Sequence, residues 1–205
     1  MKKIKNISAF TLIEMIVAIT IFTIFISMIV GTYLFIARAQ RDAAEARKYY
    51  SGARDVMEEI TKEVKLNKIY YLCYEATITG VLGCSAVDLG QGLPVANLAL
   101  INGEENHLMI FSLSDFVTLM EYEIDENTLG WVAASGYEDG ALQISATGVD
   151  ISSLNFRIFP YADPEENYDD TAYQFMPYVT VYLTVLDGNG SDYSLETTAS
   201  TRIYE

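Results

Sequence analysis

The sequence predicts an α+β protein in which a long amino-terminal α-helix, membrane-spanning in its first half, packs on an antiparallel β-sheet head. Three observations predict this fold class. Residues 10–37 form an apolar run whose only charged side chain is Glu14. Residues 38–69 keep the three- and four-residue spacing of apolar side chains that is typical of an amphipathic helix. From about residue 70 onward, apolar and polar side chains alternate between turns, as they do in half-buried strands.

Residues 1–9, MKKIKNISA, form a short basic leader before the apolar run. A secretory signal usually carries small residues and a cleavage site after its apolar core. Here the small residues Ser8 and Ala9 come before the apolar run. Cleavage beside them would therefore remove the leader and keep the apolar segment, which predicts an unusual processing route.

The apolar run, residues 10–37, is long enough to cross a bilayer as a helix. At about 1.5 Å per residue it reaches roughly 42 Å, against a hydrocarbon core of about 30 Å. The lysines of the leader predict that the amino terminus stays in the cytoplasm and that the carboxyl terminus lies outside. We therefore expect a single-pass protein of the inner or cytoplasmic membrane.

Residues 38–69 are predicted to continue the same helix to a total of about 60 residues. Charged residues occupy one face of this second half, and the other face would pack on the head, predicted for residues 70–205. Gly31 is the weakest point of the helix, because an interior Gly costs about 1 kcal/mol relative to Ala. The apolar face consists of Ala46, Tyr49, Tyr50, Ala53, Val56, Met57, Ile60 and Val64.

The head is predicted to be rich in strands. Six segments combine Val, Ile, Thr, Tyr and Phe with flanking Gly, Asp or Asn, and the last two flank DGNG, a typical hairpin turn. Residues 70–106 are expected to form a loop region with short elements. The six segments are HLMIFSL, FVTLMEYEI, ALQISAT, ISSLNFRIF, YVTVYLTVL and YSLETTASTRIY.

The chain has two cysteines, Cys73 and Cys84. Their separation is too large for a C-x-x-C pair, and the lone His107 supplies no second imidazole for a zinc site. On the oxidising side of a membrane a disulfide is the natural interpretation, and it would stabilise the fold by about 2–3 kcal/mol. The alternative is two unpaired, buried thiols.

Charge is distributed unevenly along the chain. The formal net charge is −15, and beyond Lys68 only Arg157 and Arg202 are basic, against 21 acidic residues. A head this acidic would be repelled by phosphate backbones, so nucleic-acid binding by the head is not expected. Residues 38–68 are close to neutral and are compatible with anionic lipid or acidic neighbours nearby.

Two acidic segments are weak candidates for calcium binding, with solvated acidic loops as the alternative interpretation. The segment ADPEENYDD carries carboxylates at positions 163, 165, 166, 169 and 170, and DGNGSD lacks the bidentate Glu of an EF-hand loop. No cofactor is required, and no enzyme is expected, because no nucleophile has an activating base near it in the sequence. The ligands that DGNGSD would supply are Asp187, Asn189, Ser191 and Asp192.

The stretch AFTLIEMIVAITIF, which starts at Ala9, resembles the amino-terminal signature of type IV prepilins and type II secretion pseudopilins. In that family a basic leader and a small residue, usually Gly, precede Phe-Thr-Leu-Ile-Glu and a long apolar helix. The resemblance implies cleavage between Ala9 and Phe10 by a membrane-embedded prepilin peptidase, which then N-methylates Phe10. The chain departs from the pattern at Ala9, where Gly is usual, so slow or absent cleavage is the alternative.

The resemblance also implies a role for Glu14. A carboxylate inside a bilayer is costly and usually has a partner. In this family Glu14 would pair with the Phe10 amine of an adjacent subunit as the helices bundle into a filament; the alternative is a Glu that snorkels or becomes protonated. Gly31 lies where many pilins have a helix-breaking Pro, so it would either let the helix stretch there or allow close helix packing.

A second resemblance concerns the carboxyl-terminal end. DISSLNFRIFPY, PYVTVYLTVL and LETTASTRIYE are similar to the last part of minor pilins and J-type pseudopilins. The two resemblances imply a pilin-like fold and a structural subunit of a type IV pilus or type II secretion-like filament, in the periplasm or at the cell surface. Its partners would be other pilin or pseudopilin subunits, the prepilin peptidase, the membrane assembly platform and membrane lipid.

Two other classes of function stay open. The first is a membrane-tethered binding or adhesion module that keeps its anchor uncleaved. The second is an envelope enzyme, which would need a clustered pocket of acid and base groups in the head. Processing before Phe10 separates the filament subunit from the tethered module.

Overall fold

A computed structural model describes residues 11–75, 81, 83–84, 87–125, 128, 130–164, 176–186, 190 and 192–201. The chain divides into two units, Met1–Glu45 and Ala46–Glu205. A single helix, α1 (Leu12–Leu66), provides the described part of the first unit and continues into the second. The described strands all belong to the second unit. This architecture confirms the predicted α+β fold class.

The part of α1 that lies in the first unit is exposed on every side, and as far as Ala37 its only charged residue is Glu14. All of its described residues from Leu12 to Glu45 are exposed. A helix that is apolar all round needs a surrounding apolar medium or neighbouring helices. Gly31 lies within unbroken helix, and no atom lies within 4 Å of the position that a Cβ would take there.

The later part of α1 buries one stripe of side chains against the strands. The stripe runs at three- and four-residue steps and contains five of the eight residues of the predicted face. The prediction was wrong for Tyr50, which is exposed, and Ala46 and Tyr49 are only half-buried. Its residues belong to the same hydrophobic core as the buried residues of both sheets, and each fully buried Val or Ile contributes about 1.5–3 kcal/mol. The members of the stripe are Gly52, Ala53, Val56, Met57, Ile60 and Val64.

The helix ends at Leu66, and the prediction that it continues to Ile69 was wrong. The N–H and the Nδ2 of Asn67 both donate to the Glu63 carbonyl, at 3.0 and 2.9 Å, so this side chain takes over a carbonyl of the last turn. Lys68–Ile69 instead form a short strand, which pairs with the strand Leu98–Ile101.

The described strands form two antiparallel sheets. The first has six strands in the order β1-β2-β3-β4-β5, with β6 also beside β4, and the second has three in the order β7-β8-β9. The strands are β1 (Lys68–Ile69), β2 (Leu98–Ile101), β3 (His107–Leu113), β4 (Val117–Ile124), β5 (Trp131–Ala133), β6 (Leu142–Gln143), β7 (Asp150–Phe159), β8 (Tyr178–Leu186) and β9 (Asp192–Ser200).

Most of the predicted strands are confirmed. β3, β4, β7, β8 and β9 coincide with predicted segments, and the pairing of Leu186 with Asp192 confirms the last hairpin. Residues 187–189 and 191 of its turn lie outside the described residues. Of the segment ALQISAT, only Leu142–Gln143 forms a strand.

The expected loop region, residues 70–106, contains a strand that the sequence analysis missed. All four residues of β2, LALI, are buried, so the strand shows no alternation of apolar and polar side chains. The same region contains a helical turn, α2 (Leu72–Glu75), and a 3-10 turn, Leu89–Gln91.

Cys73 and Cys84 form a disulfide, with their Cα atoms 4.7 Å apart. The bond confirms the expected pairing over the alternative of two free thiols. Tyr74, next to Cys73, donates from its hydroxyl to the Asn97 carbonyl at 3.2 Å and accepts the N–H of Ala99 at 2.9 Å. The disulfide loop is thereby tied to β2, which lies between β1 and β3 in the first sheet.

Gly52 sets the distance between α1 and the segment that leads into β7. A Cβ at this position would lie 2.5 Å from Cγ2 of the buried Val149. We therefore expect Gly52→Ala to lower the free energy of unfolding by about 1–3 kcal/mol, because overpacking outweighs the roughly 1 kcal/mol by which Ala favours a helix. Denaturant unfolding of the full chain in detergent, followed by the fluorescence of Trp131, measures the change.

Gly31→Ala is the matched control, since a Cβ there meets no atom within 4 Å. It should leave the unfolding curve of the second unit unchanged. Adding Val149→Ala to Gly52→Ala should recover part of the loss. Equal curves for Gly52→Ala and the unmodified chain would contradict this account of the packing.

Candidate assembly site

The first turn of α1 is closed by hydrogen bonds between Thr11 and Glu14. The N–H and the Oγ1 of Thr11 both donate to Glu14 Oε2, each at 2.9 Å. The Glu14 N–H points back to Thr11 Oγ1 at 3.4 Å. This reciprocal arrangement is a capping box, in which a Thr before the helix and a Glu three residues later satisfy N–H groups that have no partner inside the helix.

The carboxylate of Glu14 therefore has partners within its own chain. The sequence analysis did not identify Thr11 as one of them, although the spacing Thr-x-x-Glu at the start of an apolar helix is the recognised signature of a capping box. The amino-terminal end of a helix also carries a partial positive charge that favours a carboxylate there. Glu14 is thus held at the one place on an apolar helix where the backbone itself stabilises its charge.

The surroundings of Glu14 on α1 are apolar. Its neighbours on the helix surface are Ile13, Val17, Ala18 and Ile21, which line a shallow depression with it. Four Ser and Thr hydroxyl groups further along the segment donate to the carbonyl four residues earlier, at 2.8–2.9 Å, so none of these four donors is left unpaired toward lipid. These hydroxyls belong to Thr20, Thr23, Ser27 and Thr32.

The predicted processing residues, Ala9 and Phe10, lie outside the described residues. Cleavage between them, methylation of Phe10 and the pairing of its amine with Glu14 therefore stay predictions. Among the described residues, α1 is long and apolar enough, by length and composition, to cross a membrane.

Three polar side chains of the head meet where β3, β4 and the segment after β5 come together. His107 Nε2 of β3 lies 3.1 Å from Glu121 Oε2 of β4, and the Tyr137 hydroxyl donates to Glu121 Oε1 at 2.8 Å. Loss of hydration, together with the Glu121 carboxylate, raises the pKa of Tyr137 to about 12. None of the three lines the groove beside β9 or the pocket beside the disulfide loop, so the cluster cross-links strands without facing those cavities.

The candidate calcium ligands are only partly described. Asp187, Asn189 and Ser191 lie outside the described residues, and Asp192 is exposed at the start of β9. Of the second acidic segment, Asp163 is described and the carboxylates at 165, 166, 169 and 170 are not. Within the described residues, no three His, Cys, Asp or Glu side chains converge as a metal site requires.

Comparison with known proteins agrees with the geometry of the amino-terminal segment. Residues 4–30 match the family described as Prokaryotic N-terminal methylation motif. No curated protein and no solved structure matches the chain. The amino-terminal segment therefore carries a motif of the type IV prepilin-like kind, on a helix that is long and apolar enough to cross a membrane.

The capping box leads to a prediction for Thr11→Val, which keeps the β-branched shape and deletes the hydroxyl. We expect the first turn of α1 to open more readily, at a cost of about 0.5–2 kcal/mol, because Glu14 loses one donor and the helix loses its cap. Amide hydrogen exchange of residues 12–15 in detergent micelles measures the opening. Thr20→Val, which also deletes one hydroxyl of the same helix, should leave those rates unchanged; equal rates in the two variants would contradict the capping role.

The bond between Tyr137 and Glu121 leads to a prediction for alkaline pH. The pKa of Tyr137 is about 12 in the fold, against about 10 in an unfolded chain, so its stabilising contribution is complete below pH 10 and is lost as the pH rises toward 12. Tyr137→Phe should therefore lose less stability than the unmodified chain between pH 9 and 11. Urea unfolding across this range tests it, with Tyr50→Phe as the control; parallel losses in all three proteins would contradict the assignment.

Proposed function

We propose that the chain is a minor pilin or pseudopilin, a structural subunit of a type IV pilus or type II secretion-like filament. The observation that carries the proposal is the methylation motif at residues 4–30, continued by a helix that is apolar and exposed up to Ala37. In this proposal the prepilin peptidase removes residues 1–9 and methylates the new amine of Phe10. No cofactor takes part, and the chain has no enzymatic activity of its own.

The assembly step follows from the chemistry of Glu14. In a single chain lying in lipid, one carboxylate oxygen is held by Thr11 and the charge has no cationic partner among the described residues. The Phe10 amine of a neighbouring subunit would supply that cation, and N-methylation keeps its charge. Pairing between subunits would fix the axial register of the helices and favour the bundle over the isolated helix in lipid.

Location and partners follow from the same segment. The disulfide between Cys73 and Cys84 supports a head on the oxidising side of the inner membrane, with the filament in the periplasm or at the cell surface. The partners are other pilin subunits, the peptidase, the assembly platform and, before assembly, membrane lipid. The large second unit, Ala46–Glu205, supports a minor subunit over a minimal shaft subunit.

A membrane-tethered binding or adhesion module is the second candidate. The observation that favours it is Ala9, which stands where prepilins usually have Gly before the cleavage site. If the peptidase rejects Ala9, the leader stays in place and the apolar helix remains a permanent anchor.

Processing decides between the two candidates. In cells that contain a prepilin peptidase, the intact mass and the amino-terminal peptide should show a chain that starts at methylated Phe10. Glu14→Ala should be processed normally and should lose at least about tenfold in incorporation into filaments, since it loses the carboxylate that pairs with the neighbour's amine. Ala9→Gly is the control for cleavage efficiency. If the unmodified chain still starts at Met1 while the Ala9→Gly variant is cleaved, the result would favour the tethered module.

A further inference from the structure

β9 has one free edge among the described strands, since it pairs only with β8. The Thr201 N–H donates to the Pro177 carbonyl at 3.0 Å, directly beyond the pair Ser200 and Tyr178. Hydrogen-bonded pairs alternate along an antiparallel ladder. The odd-numbered residues of β9 therefore direct their backbone groups to β8, and the even-numbered residues direct theirs to the free edge.

The other side of the same sheet agrees with this assignment. Phe156 of β7 exchanges both backbone bonds with Val95, at 2.7 and 2.8 Å, and so directs its N–H and C=O away from β8. Its partner across the sheet is Val181, which must then bond to Thr197 of β9. The outward N–H groups of β9 accordingly belong to Ser194, Glu196 and Thr198, together with the strand ends.

Nothing in the sequence of β9 blocks this edge. Natural edge strands are usually protected by Pro, Lys, a bulge or short length. β9 has nine residues, no Pro and no Lys, and it pairs with β8 without a register shift. It therefore offers a long template for another strand.

A groove of about 540 Å³ lies between this edge and α1. Its floor is formed by the buried Met57 and by Leu195 and Thr197, which project from β9 toward the helix. A strand added to β9 would lie about 4.8 Å away, and every second side chain would point into the groove. The remaining lining residues are Arg54, Glu58, Thr61, Lys62, Lys65, Leu66 and Glu196.

The two faces of an added strand would meet different chemistry. Side chains that point into the groove would lie over Met57 and Leu195, so apolar ones fit. Side chains on the solvent face would lie beside Asp192 and Glu196, which are both exposed, so Lys and Arg fit there. The head as a whole is acidic, which favours the same basic partner.

The chain cannot supply such a strand to a second copy of itself. Beyond Lys68 its only basic residues are Arg157 and Arg202, and no stretch there alternates basic and apolar residues. The charge of the head therefore favours a different protein as the occupant.

We propose that the free edge of β9 and the adjoining groove bind an extended segment of a neighbouring, different filament subunit. The segment adds a fourth strand to the sheet, with apolar side chains toward α1 and basic side chains toward solvent. Main-chain hydrogen bonds then provide affinity and the alternate side chains provide specificity. The proposal rests on the proposed function, since it needs assembly with other subunits.

A pair of variants at one position tests the edge. Glu196→Pro and Glu196→Ala both delete the carboxylate, but only Glu196→Pro deletes an outward N–H while sparing the ladder to β8. We expect Glu196→Ala to lose no more than about threefold in incorporation into filaments and Glu196→Pro to lose at least about tenfold. Both should be processed at Phe10 to the same extent. Equal incorporation of the two variants would overturn the proposal.

Hydrogen exchange on the unmodified chain tests the same edge without a substitution. In the detergent-solubilised subunit, the amides of Ser194, Glu196 and Thr198 should exchange fast, and the amides of Leu195 and Thr197 slowly. In filaments formed with the other subunits, the first group should slow at least about a hundredfold. Exchange of that group that stays fast in filaments would overturn the proposal.

Two further outcomes separate this proposal from the proposed function. If the chain is processed and incorporated but the outward amides of β9 still exchange fast, only the strand-addition proposal is overturned. If the chain keeps its leader and never enters filaments, both the proposed function and the strand-addition proposal are overturned. Slowed outward amides in filaments of this chain alone would identify the occupant as a second copy, and this result would overturn the inference of a different subunit.

Discussion

The burial of one stripe of α1 against two sheets is the contact on which the second unit depends. Ala53, Ile60 and Val64 have no exposed surface, and the core residues of both sheets belong to the same cluster. Without this part of the helix, the covered faces of the sheets would be left open to water, at a cost of about 25 cal/mol for each Å² of apolar surface. A head cut free at residue 70 would therefore lose part of its own core.

The apolar amino-terminal segment and the buried stripe belong to one helix. Up to Ala37 the helix exposes apolar side chains in every direction, which suits lipid or a bundle of helices. From Gly52 it exposes charged side chains on one face and buries apolar ones on the other. Gly52 in particular allows a contact with Val149 that any larger residue would prevent. One continuous helix thus meets two kinds of surroundings by a change of side chains alone.

The sequence predicted the elements whose signals are local. The apolar run and the helical spacing are properties of neighbouring residues, and the alternation in β7, β8 and β9 reflects sheets with one covered face. β2 escaped prediction because a strand in the middle of a sheet that is covered on both faces has no alternation. The end of α1 was not predicted correctly because Ile69 pairs with Leu100 in a strand, and this contact joins distant parts of the chain.

The candidate site shows the same division. Glu14 stood out in the sequence as a lone charge, and its partner Thr11 was within reach of a sequence rule because the capping box is local. The meeting of His107 with Glu121 depends on the register of β3 against β4, which no local pattern determines. The free edge of β9 is likewise a property of strand order, and becomes visible only when the neighbours of every described strand are known.

The capping box explains in part how the apolar helix can carry the Glu14 carboxylate. Both bonds from Thr11 end on Oε2, and Oε1 has no hydrogen-bond partner among the described residues. The cap therefore satisfies half of the carboxylate and orients it, while leaving its negative charge unneutralised. The cap has already fixed the orientation of the carboxylate. A cation that approaches Oε1 therefore stabilises the negative charge without a further cost for reorienting the side chain. If Glu14 pairs with the Phe10 amine of another subunit, as proposed, the cap prepares Glu14 for that partner and does not compete with it.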